Sequence, residues 1–214
     1  LLEKYFCLSL EDTAVLEDIE LSDEGVRIGD KRVSVYTLSE LDALPSRVGT
    51  DSRYERLSTD RSDSRLSFAS PVGLLLPCNH LYNQYLFIDD SAENLQRFEK
   101  TARNMQSLSR YSRSNQINKE WIDLYLNDAH SYGLTSVRCH CNVMAWTDKP
   151  EGVKAVRNET GSQIASMECK PRHNTVDAAT LYWAGMPGNA ADFPAEESFY
   201  TFIEPVSYTH LRAH

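Results

Sequence analysis

An α+β fold, with a mixed or antiparallel sheet covered by helices, is predicted by three features of the sequence. VRIGDKRVSVYTL carries an alternating apolar pattern beside a Gly-Asp turn, and LTSVRCHCNVMAWTD has the composition of a central strand. Between these two stretches lie long segments whose apolar residues recur at helical spacing. The order is strand pair, two helices, strand, helix, strand.

The 214 residues suffice for one domain or two small ones with a buried core, and 41% hydrophobic with 25% charged residues is a globular composition. No run of about 18 apolar residues occurs, so no membrane-spanning helix is expected. Five cysteines at irregular spacing argue against a secreted disulfide framework and place the chain in the cytoplasm. A net charge of −9 excludes long-range attraction of the whole chain to nucleic acid. The opening LLEKYFCLSLEDTAVLEDIEL has neither an initiator Met nor a signal-peptide pattern, and reads as a chain entered partway.

Taken in order, the first segment mixes apolar and acidic residues up to Leu21, and a β-hairpin follows around Gly29-Asp30-Lys31. PSRVGTDSRYERLSTDRSDSR is serine-rich with charges of both signs, a surface loop or a boundary between subdomains. Val72 to Leu76 and Tyr82 to Ile88, punctuated by Pro71, Gly73 and Pro77, read as strands, the first demoted by the prolines to an edge or a bulge. Asp89 or Asp90 caps a helix from about Ser91 to Arg110, with Leu95, Phe98, Ala102 and Met105 on its apolar face. Asn118 caps the next, whose stripe is Trp121 or Ile122, Tyr125, Ala129 and Tyr132, with Gly133 as the stop.

The central strand follows, with Val137, Cys139, Cys141, Val143 and Ala145 on one face and Arg138, His140, Asn142, Met144 and Trp146 on the other. Asp148 and Pro150 open a third helix with Val153, Val156, Thr160, Ile164 and Met167 in its stripe. Leu181 to Ala184 reads as a short strand, MPGN as a turn using Gly188, and Pro194-Ala-Glu-Glu as the start of a last helix reaching Glu204. Phe199, Phe202 and Ile203 of that helix are expected to be poorly packed.

Candidate chemistry is sparse. Cys139-His140-Cys141 holds zinc-type ligands, but on a strand His140 points away from both thiols. Cys169 and His173 offer a nucleophile and a base, in a loop expected to expose both. His80 and His130 read as ordinary hydrogen-bonded side chains. GMPGN reads as a structural turn. No glycine stands in a GxxxxGK[ST] pattern, so the sequence contains no phosphate-cradling P-loop, and no catalytic, cofactor-binding or metal residue is assigned. The best basic patch is RFEKTARNMQSLSRYSRSNQINK, where Arg97, Lys100, Arg103, Arg110, Arg113 and Lys119 face only Glu99. With Tyr111 it is a candidate nucleic-acid or partner contact, set against the plainer reading of a solvated helix face and loop.

Three stretches, TDSRYERLSTDRSDSRLSFASPVGLLL, HLYNQYLFIDDSAENLQRFEKTARNMQSLSRYSRSNQINKEW and YWAGMPGNAADFPAEESFYTFIE, resemble the TraG conjugation proteins of Bacteroides-type conjugative elements. The resemblance runs in order over Leu1 to Glu204. It implies a piece of a type IV secretion ATPase acting at the cytoplasmic face of the inner membrane, cut before a RecA-like domain that would bind ATP and Mg. On that reading residues 1–50 are a strand-containing part of a truncated domain and residues 51–204 a non-catalytic α+β domain. Its partners would be its own motor domain and the secretion machinery, with oligomers formed by the intact parent.

Residues 205–214 read differently. The reverse complement of a transposase sequencing adapter, beginning CTGTCTCTTATACACATCTCCGAGCCCAC, translates in one frame to Val-Ser-Tyr-Thr-His-Leu-Arg-Ala-His, with Pro before it. The tail, including His210 and His214, is therefore expected to be an adapter translation and not native sequence.

Overall fold

The structure, a computed structural model, describes residues 8, 16–22, 25–39, 43–45, 52–53, 58–62, 65–66, 68–108 and 112–203. Among these the strands are β1 (Ile19–Ser22), β2 (Gly25–Ile28), β3 (Lys31–Thr37), β4 (Ser52–Arg53), β5 (Arg65–Leu66), β6 (Asn79–Phe87), β7 (Ser136–Thr147), β8 (Arg172–Asn174) and β9 (Phe199–Phe202). The α-helices are α1 (Ser70–Leu75), α2 (Ser91–Leu108), α3 (Arg113–Tyr132), α4 (Val153–Ser166) and α5 (Ala178–Ala184). Seven strands form one antiparallel sheet in the order β1-β2-β3-β7-β6, with β8 paired to β3 and β9 to β7. The fold is α+β, as the sequence predicts. Among the described residues no helix is long and apolar enough to cross a membrane.

The chain divides into two units. One is drawn from Leu1–Leu38, Ser70–Gln84 and Cys141–Glu197, the other from Ser39–Ala69, Tyr85–His140 and Ser198–His214.

In the first unit the predicted hairpin forms. Gly29 takes a φ of 54°, a left-handed conformation that glycine adopts without strain, and β2 and β3 pair across it. Val26, Ile28, Val33 and Val35 fall on one face by strand alternation, and all are buried. α4 is bonded to the opposite face, since the Tyr36 hydroxyl donates to the Arg157 carbonyl at 3.0 Å and Arg157 Nε donates to Ser34 Oγ at 3.2 Å. Of the predicted stripe Thr160 and Ile164 are buried, Val153 and Val156 only partly, and Met167 is buried just past the helix end.

Three expectations are corrected here. Val72 to Leu76 is not a strand but most of α1, because Pro71 sits in the first turn, where its missing N–H costs nothing, and Pro77 lies just past the end. Leu181 to Ala184 is the last part of α5, in which Ala178, Leu181 and Tyr182 are buried at helical spacing. Asp148 is not the N-cap of α4, which is Gly152. Pro150 opens a 3-10 turn, Pro150–Gly152, ahead of it, and the Lys149 N–H is taken by Thr147 Oγ1 at 3.2 Å.

In the second unit α2 and α3 pack together around Phe98, Ala102, Ile122, Tyr125, Leu126, Ala129, Leu134 and Phe202. Asp90 is the α2 cap, its Oδ1 accepting the N–H groups of Ala92 at 2.9 Å and Glu93 at 3.1 Å. α3 starts five residues before Asn118, with Ser112 in extended conformation at its N-cap and Asn118 exposed inside it. Its buried stripe is Ile122, Tyr125, Leu126 and Ala129, whereas Tyr132 is 69% exposed. Gly133 ends the helix at a φ of 63°, as expected.

The expected last helix is also corrected. Only one 3-10 turn forms, Ala195–Glu197, and the chain then extends as β9, pairing Phe199 with Cys139 and Phe202 with Ser136. FYTF is aromatic and β-branched, a composition that favours a pleated, half-buried surface once a strand is available to pair with. Phe199 and Phe202 are consequently buried, and only Ile203 is substantially exposed.

Candidate functional site

The six basic residues proposed for partner contact are not an unopposed patch. Arg97 lies 3.6 Å from Glu93, one turn before it, and its Nη1 donates to the Tyr200 hydroxyl at 3.4 Å. Lys119 pairs with Asp123, one turn after it. These carboxylates stand just outside the quoted run, at the i,i+4 spacing that lets helix side chains meet. Glu99, the acid inside it, faces His130 at 3.5 Å. Lys100, Arg103 and Arg113 are exposed and have no ion pair among the described residues. Arg110 and Tyr111 lie outside the described residues, as do Glu204 and the tail.

The sulfur and imidazole groups are dispersed. Cys139, His140 and Cys141 are all buried in β7, where alternation sends His140 to the face opposite the thiols. His140 meets the edge of the Tyr85 ring, with centroids 5.7 Å apart. Cys169 and His173 were expected to be exposed in a loop; Cys169 does lie in a loop, but the exposure is corrected for both. Cys169 is buried, and His173 is half-buried on β8 against the Tyr36 ring. Burial, with Glu168 adding to it, pushes the Cys169 thiol up to about 11, so it is protonated and a poor nucleophile at neutral pH. Burial pushes His173 down, reinforced by Arg157. His80 Nδ1 lies 2.8 Å from the Cys78 carbonyl, an ordinary hydrogen bond. Among the described residues no three His, Cys, Asp or Glu side chains are grouped to hold a metal ion. GMPGN forms a turn after α5, with Gly188 at a φ of 103° and the Asn189 N–H donating to the Met186 carbonyl at 3.0 Å.

An arrangement the sequence did not suggest joins β6, β7 and the entry to β9 in the second unit. Arg138 grips Asp89 with Nε to Oδ2 at 2.6 Å and Nη2 to Oδ1 at 3.3 Å, and its guanidinium carbon lies 5.0 Å from the centre of the Phe87 ring. Nη1 reaches Ser198 Oγ at 3.5 Å. The hydrogen bonds from Arg138 hold the Asp89 carboxyl below its usual range, so the pair is ionised at neutral pH. Beside it Phe98 meets Tyr200 edge-on at 4.7 Å, and Tyr125 stacks on Phe202 at 4.3 Å. The Tyr125 hydroxyl lies 2.9 Å from Ser136 Oγ and donates to the Thr201 carbonyl at 3.0 Å, while burial raises its pKa. Every group here is engaged by another in a way that fixes a fold. Nothing in the arrangement pairs a nucleophile with a base. No protein-family model and no curated protein matches the chain.

Proposed function

We propose that this chain is a non-catalytic region of a conjugative-transfer ATPase of the TraG kind, which packs on a RecA-like motor domain and contacts the type IV secretion apparatus. The observation that carries the reading is where the resembling stretches meet. Phe87, Asp89, Arg97 and Phe98 belong to the second of them and Ser198, Tyr200 and Phe202 to the third. Their side chains build the second unit together with Arg138 and Tyr125.

Residues used this way supply packing, and chemistry needs groups held open to substrate. Phosphoryl transfer also requires a backbone cradle, a Lys, and a magnesium-holding hydroxyl and acid; the sequence has no GxxxxGK[ST] to provide them. ATP and Mg therefore belong to the motor of the parent, whose place is the cytoplasmic face of the inner membrane.

The competing reading is a nucleic-acid contact through Arg97 to Lys119. It is weakened by the ion pairs of Arg97 and Lys119, which among the described residues of the run leave Lys100, Arg103 and Arg113 to meet phosphates. Phosphate release from ATP by the purified chain, measured with Mg present, tests the proposal. No release above the protein-free blank is expected. Turnover that co-elutes with the folded chain and disappears on unfolding it would overturn the non-catalytic reading.

A further inference from the structure

Strand register in the first unit sets two arginines side by side. Arg27 of β2 stands directly opposite Arg32 of β3, and Glu20 of β1 directly opposite Arg27. Like charges in directly opposed positions destabilise a sheet, so such a pair calls for a counter-charge. Glu20 supplies one, gripping Arg27 with both carboxylate oxygens, one of them 3.0 Å from Nε. Arg32 has no ion-pair partner among the described residues.

Helix α4 brings a third guanidinium to the same face. Arg157 Nε is anchored on Ser34 Oγ at 3.2 Å, and Ser34 shares a face with Arg32, two residues along β3. The anchor orients the fork without consuming the charge. Arg157, too, has no ion pair among the described residues.

These groups line a cleft of about 760 Å³, with Glu20, Arg27, Arg32, Val153, Arg157 and Thr175 in its walls. That is within the usual size of a small-ligand site. Val153 is the first residue of α4, whose amino end adds positive potential to the wall. Asp23 and Glu24, in the connection from β1 to β2, lie outside the described residues. Three guanidinium groups thus converge with one described carboxylate, in a chain whose net charge is −9. Among the described residues of the lining the local sign opposes the global one.

We propose that this cleft binds the phosphate or diphosphate group of a phosphorylated ligand. Arg32 and Arg157 take the oxygens, since a planar guanidinium matches two phosphate oxygens at once. Arg27, held by Glu20, forms the wall beside them. This site rests on the strand register and the lining of the cleft, and does not depend on the ATPase reading.

Calorimetric titration of the full chain with pyrophosphate at low salt tests it, with Arg32→Gln as the decisive variant because its side chain is exposed. Saturable binding is expected, weakened about tenfold or more by Arg32→Gln, equivalent to about 1.4 kcal/mol, with the melting temperature of the free variant not lowered, because the substitution removes one of two directly opposed like charges. Arg157→Gln is expected to weaken binding as well. A parallel titration with oligo(dT) separates the sources of the phosphate: equal weakening by Arg32→Gln points to a nucleic-acid backbone, and an effect on pyrophosphate alone to a small ligand. Absence of saturable pyrophosphate binding, or equal affinity in Arg32→Gln, would overturn the proposal.

Discussion

Replacing Phe202 with alanine is expected to destabilise the second unit by about 3–5 kcal/mol, the usual cost of deleting a buried phenylalanine ring. Phe202 is 8% exposed and belongs to the core formed with α2 and α3. Its ring lies nearly parallel to that of Tyr125, 4.3 Å away, so the substitution removes a stacking partner as well as apolar contact. The Tyr125 hydroxyl is bonded to Thr201, the neighbouring residue of β9, so loss of the ring also loosens the strand that accepts this bond. Chemical denaturation, with amide exchange followed in α2 and α3, measures the effect. A cost below about 1 kcal/mol would mean that β9 is not part of this core, and would restore the expectation of a poorly packed chain end.

A second large effect separates helix from strand at α5. In a strand Leu181 and Trp183 would share a face and respond alike; in a helix they lie about 200° apart. Leu181 is fully buried and Trp183 is 45% exposed. Leu181→Ala is therefore expected to cost about 2–5 kcal/mol in the first unit, and Trp183→Ala less than about 1 kcal/mol, although it removes the larger side chain. Equal losses from the two substitutions would contradict the helix.

Elements whose signal is local were legible in the sequence. Gly29-Asp30 dictates the β2–β3 hairpin, Gly133 ends α3, and the Leu95, Phe98, Ala102 and Met105 spacing marks α2. Short apolar runs next to breakers were not. SPVGLL and LYWA contain too few residues for periodicity to separate helix from strand, and proline punctuates both types of element. Phe199 to Phe202 failed for another reason: a helix-like start, PAEE, is overridden by a pairing partner more than fifty residues earlier in the chain. Long-range pairing leaves no mark in a local window.

The same distinction governs the candidate sites. Arg97 and Lys119 looked unopposed because their acids, Glu93 and Asp123, fall just beyond the stretch considered. The Arg138 clasp with Asp89 spans 49 positions and was invisible to spacing rules. Arg27 opposite Arg32 was readable in principle, since a two-residue turn at Gly29-Asp30 fixes which residues face each other. Arg157 was not, because only the packing of α4 brings it there.

The proposed role depends on what the parent gene encodes beyond this region, and the source DNA read without interruption through the codon for Glu204 examines that directly. An open frame is expected to continue past Glu204 into a sequence other than VSYTHLRAH and to reach a GxxxxGK[ST] segment within a following domain. A continuous frame that closes without such a segment would contradict a place in a conjugation ATPase.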